Sequence, residues 1–175
     1  MMAIATKTAS LVAFTLPSTP YSVQMARFYI RAALAHHELG DYTKDAETVG
    51  SELVTNAVLH AGGPKFGLEV MHLADFGAVA IIVTDPSPDP PVKRDPAGSP
   101  EHGRGLNIVD ALSASWGWRT EDPGKAVYAI LARQAPDSPQ EGWTSSAGQR
   151  GEDCCRPLTT GLPTPGSLTR REGLR

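Results

Sequence analysis

The sequence predicts an α/β (α+β) domain built as a two-layer sandwich: a mixed, mainly antiparallel sheet with its helices on one face. Three observations carry this. Apolar residues alternate at strand spacing in some segments and recur at helix spacing in others. The segments run strand, helix, helix, strand, strand, helix, strand, strand. Short turns join neighbouring strands, which favours antiparallel pairing and collects the helices on one side.

Residues 10–16 read as the first strand, stopped by Pro17 and Pro20. Thr19 then stands as a helix N-cap with Pro20 at the first helical position, where the missing N–H costs nothing. Val23, Ala26, Ile30, Ala33, Leu34 and His37 follow helical spacing to about Leu39, with Gly40 as the stop. His36-His37 reads as a helix end, not a metal site. A second helix runs over about residues 44–61 and ends at Gly62-Gly63-Pro64. Residues 66–73 alternate as a strand that breaks at Gly77. Residues 79–84 are a continuous apolar run, as in a central strand, with Asp85 at its end. Residues 86–102 hold six prolines and no period, so they read as a loop. Gly103-Arg104-Gly105 opens a short helix over residues 106–112. Residues 115–120 and 126–133 are the last strands, joined by the turn Glu121-Asp122-Pro123-Gly124.

Bulk properties narrow the function. The 175 residues suffice for one domain with a core. Net charge is −3, and residues 1–135 show no basic patch, so no direct nucleic-acid partner is expected. The dense basic group is Arg170, Arg171 and Arg175. Adjacent Cys154 and Cys155 suggest neither a disulfide framework nor a zinc site, which favours a cytoplasmic setting. No segment approaches the length of a membrane span, and the apolar run at 11–14 is too short for a secretory signal. Residues 136–175 are rich in Pro, Gly, Ser, Thr and Arg and are expected to be disordered. The expected organisation is a flexible 1–9, a domain over 10–135 and a tail over 136–175.

The second helix carries the most informative pattern. Glu52, Asn56 and His60 fall four residues apart, which places them along one side of a helix. Their neighbours Val49, Leu53, Val54, Ala57 and Val58 are apolar. A helix apolar nearly all round lies inside a domain, and a polar stripe on it needs a partner, such as a ligand. Glycines before a helix let backbone N–H groups approach an anion, so Gly103-Arg104-Gly105 suits a phosphate chain. His60 reads as structural, and Trp116 with Trp118, on one strand face, reads as packing.

Glu52-Leu53-Val54-Thr55-Asn56-Ala57, then Asp85-Pro86-Ser87, then Gly103-Arg104-Gly105-Leu106 resemble the N, G1 and G2 boxes of the Bergerat ATP-binding fold. Within that fold the chain is most similar to the anti-sigma factor serine/threonine kinases. Trp116-Gly117, Gly124-Lys125 and Val127-Tyr128-Ala129 resemble the closing strands of actinobacterial members. The resemblance covers about residues 10–133. It implies that Asn56 holds Mg²⁺ against the ATP phosphates and that Glu52 acts on the attacking hydroxyl as catalytic base. It implies that Asp85 accepts a hydrogen bond from the adenine amino group, and an acceptor-only carboxylate would select adenine over guanine. Gly103, Arg104, Gly105 and Leu106 are the implied phosphate cradle. The sequence departs from the family pattern where Pro86, Ser87, Pro88 and Pro90 follow the Asp. It departs again at Lys125, where many relatives have Thr.

The implied function is transfer of the ATP γ-phosphoryl group to Ser or Thr of an antagonist (anti-anti-sigma) protein, with sequestration of a sigma factor and so regulation of transcription. A homodimer is among the arrangements the resemblance allows. A nucleotide-dependent protein-binding module without kinase activity is the alternative. A detached histidine kinase catalytic domain is a third reading, disfavoured because no phosphoacceptor helix pair precedes residue 10.

Overall fold

A computed structural model describes residues 8–92 and 104–133. The expectations for residues 1–7, for Gly103, for most of the proline-rich loop and for the tail with Cys154 and Cys155 fall outside the described residues. The elements follow the expected order: β1 (Thr8–Pro17), α1 (Tyr21–His36), α2 (Thr43–His60), β2 (Lys65–Leu73), β3 (Ala78–Asp85), α3 (Gly105–Leu112), β4 (Ser115–Thr120) and β5 (Lys125–Ala132). The strands form one sheet in the order β1-β2-β3-β5-β4, with every pairing antiparallel.

Period-two alternation splits β3 between two faces. Val79, Ile81 and Val83 join Leu68, Val70, Val127, Ala129 and Leu131 in the main core. Ile30 and Leu34 of α1, Val49, Leu53 and Val54 of α2, and Leu106 and Val109 of α3 fill the same cluster, so all three helices lie on this face. On the opposite face Met71, Leu73, Ala80, Ile82, Tyr128 and Ile130 belong to a second, strand-only cluster. A strand apolar on both sides matches the unbroken apolar run in its sequence.

The two long helices approach closely at Gly50, where a Cβ would stand 2.3 Å from Ile30 Cδ1. Polar groups fix their relative register. Arg27 Nε donates to Ser51 Oγ at 2.5 Å, and Arg31 Nε meets Glu47 Oε1 at 2.5 Å.

Two local expectations need correction. The first helix ends at His36, not near Leu39, and Gly40 does not stop it. Glu38 does, at φ 58, and Leu39 N–H closes back on Leu34 O at 2.8 Å. This is the left-handed termination that glycine usually supplies, and Gly40 instead begins a single 3-10 turn, Gly40–Tyr42. At the other end, Pro20 takes helical dihedrals as expected, but no side chain caps the first turn. The Thr19 hydroxyl lies 3.1 Å from Ser22 Oγ, which donates to Pro17 O.

Candidate functional site

The site begins where α2 meets α3. Glu52 and Asn56 are one turn apart on α2 and half-buried. Gly105 is the first residue of α3. A Cβ at Gly105 would stand 2.7 Å from Glu52 Oε2 and 3.8 Å from Asn56 Oδ1. The start of α3 therefore lies directly against both polar side chains, and only a residue without a side chain leaves the carboxylate where it is. The first N–H groups of a helix lack intrahelical partners and sit at the positive end of its dipole. A hard carboxamide oxygen, a carboxylate and a helix N-terminus thus converge from residues 53 positions apart at most.

Arg104 precedes this turn and is exposed, and its carbonyl accepts from Asn107 N and Ile108 N. Leu106 is buried in the main core, so its side chain anchors the turn by packing. His60, third member of the stripe, is exposed in the last turn of α2 and stands apart from the other two.

Asp85 closes β3 with its side chain on the helix-covered face, and it is buried. Its Oδ1 accepts from Ser87 N at 2.9 Å, an Asx-type turn that fixes the chain as it leaves the sheet. The same oxygen accepts from Lys125 Nζ at 2.9 Å. Lys125 is paired across from Asp85 in the β3–β5 register, and its ammonium also donates to Ser87 O at 3.2 Å. Gly124, before it, has φ +101, and a Cβ there would stand 2.0 Å from Asp85 O. The β4–β5 turn thus lies on the backbone of the carboxylate it partners.

Lys125 is the residue that sequence reasoning missed. In the sequence it reads as a departure from a motif, not as a partner of Asp85. The available signal was opposite charge at the end of one strand and the start of another. Trp118 occupies the same face two pairs along, opposite Val127, and its Nε1 is buried without a hydrogen-bond partner among the described residues. Trp116 Nε1 donates to Asp110 Oδ1 at 2.8 Å, which ties β4 to α3.

A family profile described as a histidine kinase-like ATPase domain matches residues 16–131. The chain belongs to this family. The match spans every element that positions Glu52, Asn56, Asp85 and Gly105. A relative, the uncharacterized protein SCO4941 of Streptomyces coelicolor, is 32% identical over 88 residues, 49% of this chain and 84% of that protein. Among solved structures, the RsbU and RsbW domains of Rv1364c from Mycobacterium tuberculosis superpose with a TM-score of 0.52 at 22% identity. The overlap covers 69% of this chain and only 31% of that one, and it shows that the two share a fold. Among the described residues no helix is long and apolar enough to cross a membrane.

Proposed function

We propose that this chain binds ATP with Mg²⁺, transfers the γ-phosphoryl group to a Ser or Thr of an antagonist protein, and sequesters a sigma factor as a cytoplasmic regulator of transcription. The observation that carries the reading is the convergence of Glu52 and Asn56 on the N-terminus of α3 at Gly105. Membership of a histidine kinase-like ATPase family supports ATP as the nucleotide. A solved relative that contains an RsbW domain supports the regulatory setting.

The side chains suit a magnesium nucleotide. Among the described residues no group of three or more His, Cys, Asp or Glu could hold a metal alone. Mg²⁺ keeps several waters and takes few protein oxygens beside phosphate, so one carboxamide oxygen from Asn56 fits its chemistry. The ion would offset phosphate charge as the transfer proceeds. This chain supplies the rest. The first N–H groups of α3 face the phosphates, and Asp85 Oδ2 offers the base an acceptor. Glu52 takes the proton of the attacking hydroxyl as its oxygen bonds to the γ-phosphorus, the bond to the β,γ-bridging oxygen breaks, and ADP leaves.

The test uses two variants and labelled ATP with candidate antagonist proteins. Asn56→Ala should weaken Mg²⁺-dependent ATP binding and transfer together. Glu52→Ala should keep ATP binding and lower transfer by roughly 10²–10⁴-fold, the usual scale of a general base. A Glu52→Ala protein that transfers at the wild-type rate would remove the catalytic assignment. If wild type and Glu52→Ala are equally inactive yet both hold a partner when ATP is present, the chain is a nucleotide-gated binding module.

A further inference from the structure

We infer that residues 1–7 of this chain fold back over the second face of the sheet and form a third layer there. This surface lies on the far side of the sheet from the helices that carry Glu52, Asn56 and Gly105, and it stands independently of the nucleotide reading.

The second face is closed, and no described element closes it. Met71, Leu73, Ala80, Ile82, Tyr128 and Ile130 are each at most 6% exposed. All three helices lie on the other face, and among the described residues this cluster draws on β2, β3 and β5 alone. A sheet face backed by nothing is solvated, and side chains this dry need a further layer. Exposure returns on the same face at Ala13 and Thr15 of β1, and partly at Glu69 of β2 and Thr84 of β3. The cover therefore lies over the Leu73 and Ala78 end of β2 and β3 and continues over β5.

Three stretches fall outside the described residues: 1–7, 93–103 and 134–175. The second leaves the sheet beyond Asp85, at the other end of β3, and leads to α3 on the helix-covered face. The first joins β1 at Thr8, which pairs with Leu73 at the covered corner. The third follows β5, whose Ala132 pairs with Ala78 at the same end. Composition separates these two. Met1-Met2-Ala3-Ile4-Ala5 is apolar throughout, and Met adapts to irregular apolar surface. Residues 134–142 hold Asp137, Glu141 and two prolines and no large apolar side chain, so laying them on the face would bury charge for little gain. Length also suits the first stretch. Seven extended residues reach about 23 Å, and the three strand spacings from β1 to β5 take about 14 Å. Residues 1–5 can thus cross β2, β3 and β5 while the Lys7 ammonium stays in water at the rim.

Nuclear magnetic resonance on the full chain, with Ile and Met methyl groups labelled, tests this. Nuclear Overhauser contacts are expected from the Ile4 or Met2 methyl to those of Ile82, Ile130 or Met71, in a protein that sediments as a monomer. These wild-type contacts stand without any variant. Ile4→Asp should lose them, raise the binding of a hydrophobic dye and lower the unfolding midpoint by about 5 °C or more. Contacts to the same methyls from Trp143 or any other residue of 134–175 overturn the assignment. Contacts seen only between differently labelled copies overturn it too, and make the cover a second chain. Absence of any contact between residues 1–7 and the face, or an Ile4→Asp protein with unchanged midpoint and dye binding, also overturns it.

Discussion

Gly105→Ala separates the fold from the site with one methyl group. The added Cβ would lie 2.7 Å from Glu52 Oε2, closer than real Cβ contacts come, and 3.8 Å from Asn56 Oδ1, an ordinary contact. The near atom is the end of a flexible side chain, so the backbone need not move. The carboxylate must retreat by several tenths of an ångström. For the fold this is cheap, because alanine is the better helix former by up to about 1 kcal/mol. Differential scanning calorimetry should show an unfolding temperature unchanged or raised by a few degrees. For the site it is costly, since a displacement near 1 Å can lower a positioned reaction by about 10²-fold. The methyl group also stands where a phosphate would approach the helix N-terminus. A tenfold loss of MgATP affinity would lower the stabilisation by saturating MgATP by about 1.4 kcal/mol. Unchanged apo stability with a smaller MgATP-induced shift is the expected pair of results. Full MgATP stabilisation in a normally folded Gly105→Ala protein would refute the placement of the phosphates at α3.

Gly124→Ala should do the opposite and damage the fold, because φ +101 disfavours a side chain and the Cβ would meet the Asp85 backbone; a loss of about 2–4 kcal/mol in urea unfolding is expected. Glu38→Gly should stabilise by about 1 kcal/mol, since an exposed non-glycine residue now holds φ 58; an unchanged or lower denaturation midpoint would count against this account of the α1 terminus. Tyr42→Phe should cost about 1 kcal/mol at neutral pH, because Tyr42 Oη donates to Gly77 O and ties the 3-10 turn before α2 to the β2–β3 turn. Burial pushes the Tyr42 phenol above its ordinary value, with Asp41 adding to the shift and Arg133 opposing it. An acid held protonated by the fold stabilises fully below its unfolded pKa of about 10. That contribution is lost as pH rises through the folded value. Alkaline titration of stability should therefore fall less steeply in Tyr42→Phe than in wild type.

Much of the architecture was legible because it rests on short periods. The apolar run from Val79 to Val83 and the Gly62-Gly63 stop after α2 both act locally, and both held. The α1 terminus did not, because local preference favours glycine at a left-handed stop. Gly40 was the stronger sequence signal, yet the hydrogen bond from Leu39 N–H to Leu34 O places that stop at Glu38. His60, read as structural, leaves the polar stripe for a geometric reason. Steps of four residues overshoot a 3.6-residue turn by about 40° each, so His60 lies about 80° round from Glu52. The contact of Gly105 with Glu52 and the Asp85–Lys125 pair join residues distant in sequence. They depend on which strands become neighbours, and no local pattern states that.

The Asp85–Lys125 pair also bears on what the site is for. Taking two charges out of water costs several kcal/mol per ion, and a hydrophobic pair of similar volume is often as stable or more so. Stability alone therefore gives little reason to place these groups at 4% and 8% exposure. The β3–β5 register aligns them, Gly124 brings the turn against Asp85, and Ser87 engages both partners. Those features hold the ion pair in one arrangement on the helix-covered face. A hydrophobic replacement would keep the packing and lose these hydrogen bonds, so the pair is better explained by the position it gives the chain as it leaves β3 than by net stability.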